Sequence, residues 1–254
     1  MKIARFAENG RPQLGIVEDG TVYRAEGDLF GSLRKGAAVG PLDSLDLLTP
    51  VDPGKIVAIG LNYALHVAEG GADRALPTEP IIFMKPTTAL LPHGGVIEMP
   101  PANRIDHEAE LCIVMGKRAY RVSEADALDY VLGYTCGNDV SHRDQQRKDG
   151  QWVRAKGYNT FAPLGPVIET ELDPNNLTIE ARLNGEVKQH SHTSNLIFNP
   201  AFLVSFISQV MTLEPGDVIM TGTPEGVSPM KPGDTIEVEV EGIGVLRNTT
   251  RARD

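Results

Sequence analysis

Apolar positions in this chain fall in short runs cut by Pro-Gly and Asn-Gly pairs, and helical periodicities are few. Strands are predicted at Lys55–Gly60, Asp106–Met115, Gly133–Val140, Val218–Thr221 and Thr235–Val240, where apolar and β-branched residues crowd together. Asn9-Gly10, Asp19-Gly20 and Asn184-Gly185 carry hairpin-turn chemistry; the last joins Ile179–Leu183 to Glu186–Gln189. Pro215-Gly216 and Pro232-Gly233 suit the centre of type II turns, each ahead of a strand. Gly31–Pro41 reads as a loose segment, and Pro50-Val51-Asp52-Pro53-Gly54 as a boundary. The pattern predicts a β-rich α+β protein, with a small N-terminal β domain over 1–50 and the main domain over 51–254.

Helices are expected at three places. Ser123-Glu124-Ala125-Asp126 fits a capping box, with Ala127, Leu128, Val131 and Leu132 as the apolar face behind it. Asn199–Leu213 begins near Pro200 and turns Leu203, Phe206, Ile207, Val210 and Met211 inward. Asn62–Glu69 is a short helix closed by Gly70-Gly71.

Composition narrows the function classes. A net charge of −10 argues against nucleic acid or an anionic membrane as partner. No apolar window is long enough for a membrane span, and Met1–Glu8 has no apolar signal core. Cys112 and Cys136 lie in apolar strand-like runs without C-x-x-C spacing, so reduced thiols and a cytoplasmic location are expected.

The chemistry starts at Glu108 and Glu110. On a strand, side chains two apart share a face, about 6–7 Å apart at the backbone. Two such carboxylates at the mouth of an apolar strand repel and resist desolvation, which a hard divalent cation relieves. Asp139, at the end of the following strand, can reach them by a strand–helix–strand path. Without a Cys or His cluster nearby, the all-oxygen set suits Mg²⁺ or Mn²⁺ over Zn²⁺, with Ca²⁺ possible. His107 points to the opposite face and is not counted as a ligand. His66 and Glu69, three apart on the short helix, form a candidate oriented base. The Gly- and Pro-rich stretch Ala68–Pro80 after them suits a lid. Lys85 and Lys156 sit where a lysine needs an anion, and either can neutralise a carboxylate or developing enolate. Thr221–Val227 follows an apolar strand and offers hydroxyls and amides to a carboxylate. His190 and His192 read as edge-strand residues, not a metal site.

Read together, these pieces resemble the fumarylacetoacetate hydrolase family. The matching segments are Gly60-Leu61-Asn62-Tyr63 with His66 and Glu69, Phe83-Met84-Lys85-Pro86, His107-Glu108-Ala109-Glu110-Leu111 and Asn138-Asp139-Val140-Ser141. They continue with Arg143-Asp144, Lys156, Pro163–Pro166, Asn184-Gly185 and Thr221–Val227. The resemblance implies a mixed β-sandwich roll, usually a homodimer, with a divalent metal at Glu108, Glu110 and Asp139. It implies a His66–Glu69 catalytic dyad under a lid, with Lys156 and Gln146 polarising substrate and Thr223 contacting its carboxylate. Lys85 and Arg143 are taken as further substrate contacts. Ser228, His142 and Tyr158 stand where family members often carry other residues. The implied substrate is a small anionic 2-oxo acid, processed through a metal-stabilised enolate. Hydrolysis or decarboxylation of an acylpyruvate- or oxaloacetate-like compound is the leading expectation. A 2-hydroxyhepta-2,4-diene-1,7-dioate isomerase/decarboxylase role in aromatic catabolism follows it, and a silent 2-oxo-acid-binding module is the alternative outside enzymology.

Overall fold

The structure is a computed structural model that describes residues 1–71 and 75–253. The chain opens with a meander of β1 (Lys2–Glu8), β2 (Arg11–Glu18), β3 (Thr21–Gly27) and β4 (Leu33–Pro41). Asn9-Gly10 and Asp19-Gly20 make its turns with positive φ at all four residues, as predicted. The expectation of a loose Gly31–Pro41 is corrected: Leu33–Pro41 is an edge strand paired with β3 through register shifts. Its half-exposed, Gly- and Ala-rich sequence hides the strand pattern.

The main body adds β5 (Ile56–Gly60), α1 (Ala64–Glu69), β6 (Ile81–Lys85), β7 (Leu90–Leu91), β8 (Val96–Met99), β9 (Ile105–Asp106) and β10 (Ala109–Met115). It continues through β11 (Val131–Asn138), β12 (Ser141–His142), α2 (Arg143–Lys148), α3 (Val153–Lys156) and β13 (Ala162–Glu169). Then come β14 (Thr178–Leu183), β15 (Glu186–His192), α4 (Pro200–Val210), β16 (Val218–Met220), β17 (Thr235–Val240) and β18 (Gly244–Ala252).

These strands make an 11-stranded sheet ordered β4-β3-β2-β1-β13-β11-β10-β16-β5-β6, with β7 beside β13, a five-stranded sheet ordered β15-β14-β17-β18-β8, and a two-stranded pair of β9 and β12. The two larger sheets face each other. Leu111 and Ile113 of β10 join Ile179 and Ala181 of β14 and Val238 of β17 in one apolar core. The opposite face of β10, with Cys112 and Val114, packs on Ile3, Ala162, Leu164 and Met220. Burial on both faces explains why β10 reads as a continuous apolar run. Burial pushes the Cys136 thiol up to about 12 and Cys112 well above its ordinary value, so both stay protonated.

Other expectations are corrected in detail. The strand over Asp106–Met115 is two pieces, β9 and β10, with His107 and Glu108 between them. The helix after Ser123 is only a 3-10 turn, Ala127–Tyr130. Ser123 Oγ does accept from the Asp126 amide at 3.3 Å. However, the chain enters β11 at Val131, and the turn cannot propagate. β11 therefore returns antiparallel beside β10, Asn138 opposite Ala109, as a hairpin and not a strand–helix–strand crossover. In α4, Asn199 caps the Phe202 amide at 2.9 Å and Pro200 occupies the first turn. Val204 is buried there, whereas Val210, expected inside, is 63% exposed at the helix end. His190 and His192 lie on β15, at the edge of the smaller sheet. No helix among the described residues is long and apolar enough to cross a membrane.

Candidate active site

The β10–β11 register creates the deep wall of the site. Glu110 lies on β10, Glu108 just before it, and Asp139 just after β11, where the Asp139 amide donates to the Glu108 carbonyl at 2.9 Å. Carboxylate oxygens of Glu108, Glu110 and Asp139 all come within 4.8 Å of one another, and all three residues are buried. Cations answer two of them. Lys156 Nζ lies 2.9 Å from Glu108 and 2.5 Å from Asp139. Lys85 pairs with Asp139, and Arg143 lies 2.5 Å from Glu108. Burial alone would raise the Glu108 carboxyl, but Lys156 and Arg143 outweigh it and hold it well below the usual range.

Glu110 differs. It accepts one bond, from the Gly222 amide at 2.7 Å, and among the described residues no cation pairs with it. Burial, then Asp139 and Glu108, push its carboxyl well above the ordinary value. A buried trio of oxygen donors with one uncompensated carboxylate fits a hard divalent cation.

The opposite wall carries the dyad. His66 Nδ1 sits 2.7 Å from Glu69 Oε2 on α1, and Glu69 Oε1 accepts from the Gly226 amide at 2.6 Å. Gly226, at φ 92°, passes so close to β15 that a Cβ would lie 2.0 Å from the Lys188 carbonyl, so glycine is needed there. Asn62 stitches the base of this wall, donating to the Phe198 and Thr221 carbonyls at 2.9 and 2.7 Å. Part of the expected lid, residues 72–74, lies outside the described residues.

Between the walls is a cleft of about 590 Å³. His66, Glu69, Glu108, Asp139, Arg143, Gln146, Lys156 and Thr223 all line it. Glu110 lies behind this surface. So does Lys85, 1% exposed, which is turned to Asp139 and the Val140 carbonyl instead of the cleft. His142 is buried and stacks on Tyr158, ring centroids 5.7 Å apart. Arg104, Arg147 and Trp152 also line the cleft and escaped the sequence reading. Trp152 had a detectable signal, as the lone tryptophan beside the Lys156 segment. The Gly222 and Gly226 amides had none beyond their glycines.

A family model described as fumarylacetoacetate (FAA) hydrolase C-terminal matches residues 55–251, and a model described as Rv2993c-like, N-terminal matches residues 1–50. The chain belongs to the fumarylacetoacetate hydrolase family. It is 45% identical to a solved structure of 5-carboxymethyl-2-hydroxymuconate delta-isomerase from Mycobacterium smegmatis, at a TM-score of 0.92 with 100% of both chains covered. It is 41% identical to the mitochondrial oxaloacetate tautomerase FAHD2A of Bos taurus, over 97% of this chain and 78% of that protein. A maleylpyruvate hydrolase from Sphingobium sp. SYK-6, solved with manganese(II) and pyruvate, superposes at a TM-score of 0.83 with 29% identity and 100% of both chains covered. Family neighbours are thus isomerases, tautomerases and hydrolases.

Proposed function

We propose that this protein is a divalent-metal-dependent enzyme that moves a proton on a small anionic 2-oxo acid, interconverting keto and enol forms or shifting a double bond. One observation carries the reading: a hydrogen-bonded His66–Glu69 pair lines the same cleft as Glu108 and Asp139, with Glu110 of the buried trio just behind them. Proton transfer needs only an electron sink and one proton carrier, and those are the two walls.

Glu108, Glu110 and Asp139 would hold Mg²⁺ or Mn²⁺, which when bound would polarise the substrate oxygens and stabilise enolate charge. The remaining work falls to side chains. Glu69 holds His66 by Nδ1, leaving Nε2 to take the proton from substrate carbon and return it. Lys156 supplies a buried ammonium beside the developing negative oxygen. Burial lowers its pKa, but Asp139 and Glu108 outweigh that, so it stays charged. Arg143 donates to Gln146 Oε1 at 2.8 Å, so the Gln146 amide nitrogen is the end left to donate to substrate. The isomerase and tautomerase likenesses, at 45% and 41% identity, favour this order over the hydrolysis or decarboxylation expected first.

Hydrolysis is the second reading, favoured by the likeness to maleylpyruvate hydrolase. There the same imidazole would activate water toward a distal carbonyl. The test offers the Mn²⁺-loaded protein enol oxaloacetate and an acylpyruvate in parallel. Faster ketonisation, lost with chelator and restored by Mn²⁺, is expected. Acylpyruvate cleavage without accelerated ketonisation would install the hydrolase reading. No turnover of either by metal-loaded protein would remove the enzymatic reading.

A further inference from the structure

Thr223 presents one unspent proton to the cleft, and the residues behind it decide that it does so. Gln189 on β15 is fully buried, and its amide has every atom engaged. Its Nε2 donates to the Pro224 carbonyl at 2.8 Å and to Thr223 Oγ1 at 2.8 Å. Its Oε1 accepts from the Ala109 amide at 2.9 Å and meets His107 Nδ1 at 3.1 Å. A carbonyl can only accept and a main-chain amide only donate, so the orientation of the Gln189 amide is unambiguous. His107 must then carry its proton on Nδ1, and its Nε2 lies 2.8 Å from Ser228 Oγ. Ser228, a departure from the usual family residue, therefore closes the far end of the chain.

The consequence falls on Thr223. Its oxygen already receives a proton from Gln189, so its own O–H must point elsewhere. Among the described residues no group accepts it, and Thr223 is 3% exposed on the cleft wall. We infer that Gln189 is a positioning residue that locks the Thr223 hydroxyl as a donor to an anionic substrate oxygen. The larger sheet supplies the metal ligands while β15 of the smaller sheet sets this donor, so the site joins both sheets. Without the Gln189 donor nothing fixes the rotation of this hydroxyl, which is then free to turn lone pairs toward an anion, and these repel it.

This inference rests on the proposed 2-oxo-acid site, and the test separates the two. Oxalate binding to Mn²⁺-loaded protein is measured by calorimetry for wild type, Gln189→Met, Thr223→Val, the double variant and Thr223→Ser. A hydrogen bond to a charged group sets the scale. Gln189→Met and Thr223→Val should each weaken oxalate about 10-fold, and the double variant no further, because both remove one interaction. Thr223→Ser should stay within about 3-fold of wild type. In turnover the losses should appear in KM with kcat nearly unchanged. If Gln189→Met does not fold, the isosteric Gln189→Glu, which replaces the donor by an acceptor, should weaken oxalate at least as much. Oxalate bound equally by wild type and the Gln189 variants, or additive losses in the double variant, would overturn the positioning role and leave the function intact. Wild type that binds no oxalate would remove both.

Discussion

The two walls of the cleft are built differently. The carboxylate wall is set by the register of two central strands, and Glu108, Glu110 and Asp139 are each at most 4% exposed. The dyad wall is a six-residue helix, with Glu69 36% exposed at its side chain and Leu65 61% exposed. Charge buried in a sheet cannot rearrange cheaply, so it suits a fixed ion site. A short helix pinned by Asn62 and by Gly226 leaves the His66 side chain 13% exposed, which suits the proton carrier proposed above. The fold sets the buried carboxylates apart from the imidazole proposed to carry the proton.

The largest break in this comparison is at Glu110. Glu110→Ala removes a ligand that no protein cation neutralises. Mn²⁺ affinity measured by calorimetry should fall by more than the roughly 10–100-fold that an outer hydrogen-bonding partner is worth, with activity lost alongside. The metal-free fold should survive, since the side chain removed is a buried acid that no cation partners. Retained tight Mn²⁺ binding would show that the trio is not the ion site.

Lys156→Met probes the same wall from the cation side. It strands Glu108 and Asp139 with fewer partners, and breaking a buried pair costs about 3–5 kcal/mol. The metal-free melting temperature should drop sharply and partly recover with Mn²⁺. A variant as stable as wild type without metal would contradict the charge balance drawn for this wall.

The smallest effect is with pH. The Glu110 carboxyl is raised in the metal-free fold, by burial first and then by Asp139 and Glu108. The folded state therefore keeps a proton that the unfolded chain loses near the ordinary carboxylate value. Metal-free stability should fall as pH rises from that value through the raised one. Mn²⁺ should flatten the dependence, because it takes the place of the proton. Denaturation midpoints across pH, with and without Mn²⁺, check both signs.

The two walls left different traces in the sequence. The clustering of the three carboxylates could be read because Glu108 and Glu110 are two apart at a strand mouth and the next apolar run ends at Asp139. Their route together was misread, since nothing in Ser123–Leu132 reveals that the turn stops at Tyr130. The dyad showed as i,i+3 spacing. Its third member, the Gly226 amide, was invisible because a backbone donor leaves no side-chain signature. Gln189 carries no local signal for a different reason: its role depends on two sheets meeting, which no local pattern records. Lys85 was recognised as a lysine needing an anion, but only the fold shows that Asp139 supplies it from behind the cleft.

His66 is proposed to exchange a proton with the carbon next to the oxo group of a metal-held 2-oxo acid. Deuterium incorporation at that carbon, followed by NMR in D₂O with Mg²⁺-loaded protein, tests it without assuming which product forms. Wild type should exchange the position rapidly, chelator should stop it, and His66→Ala should slow it by about 10²–10⁴-fold while binding Mg²⁺ as wild type does. Exchange at the wild-type rate in His66→Ala would rule out His66 as the proton carrier.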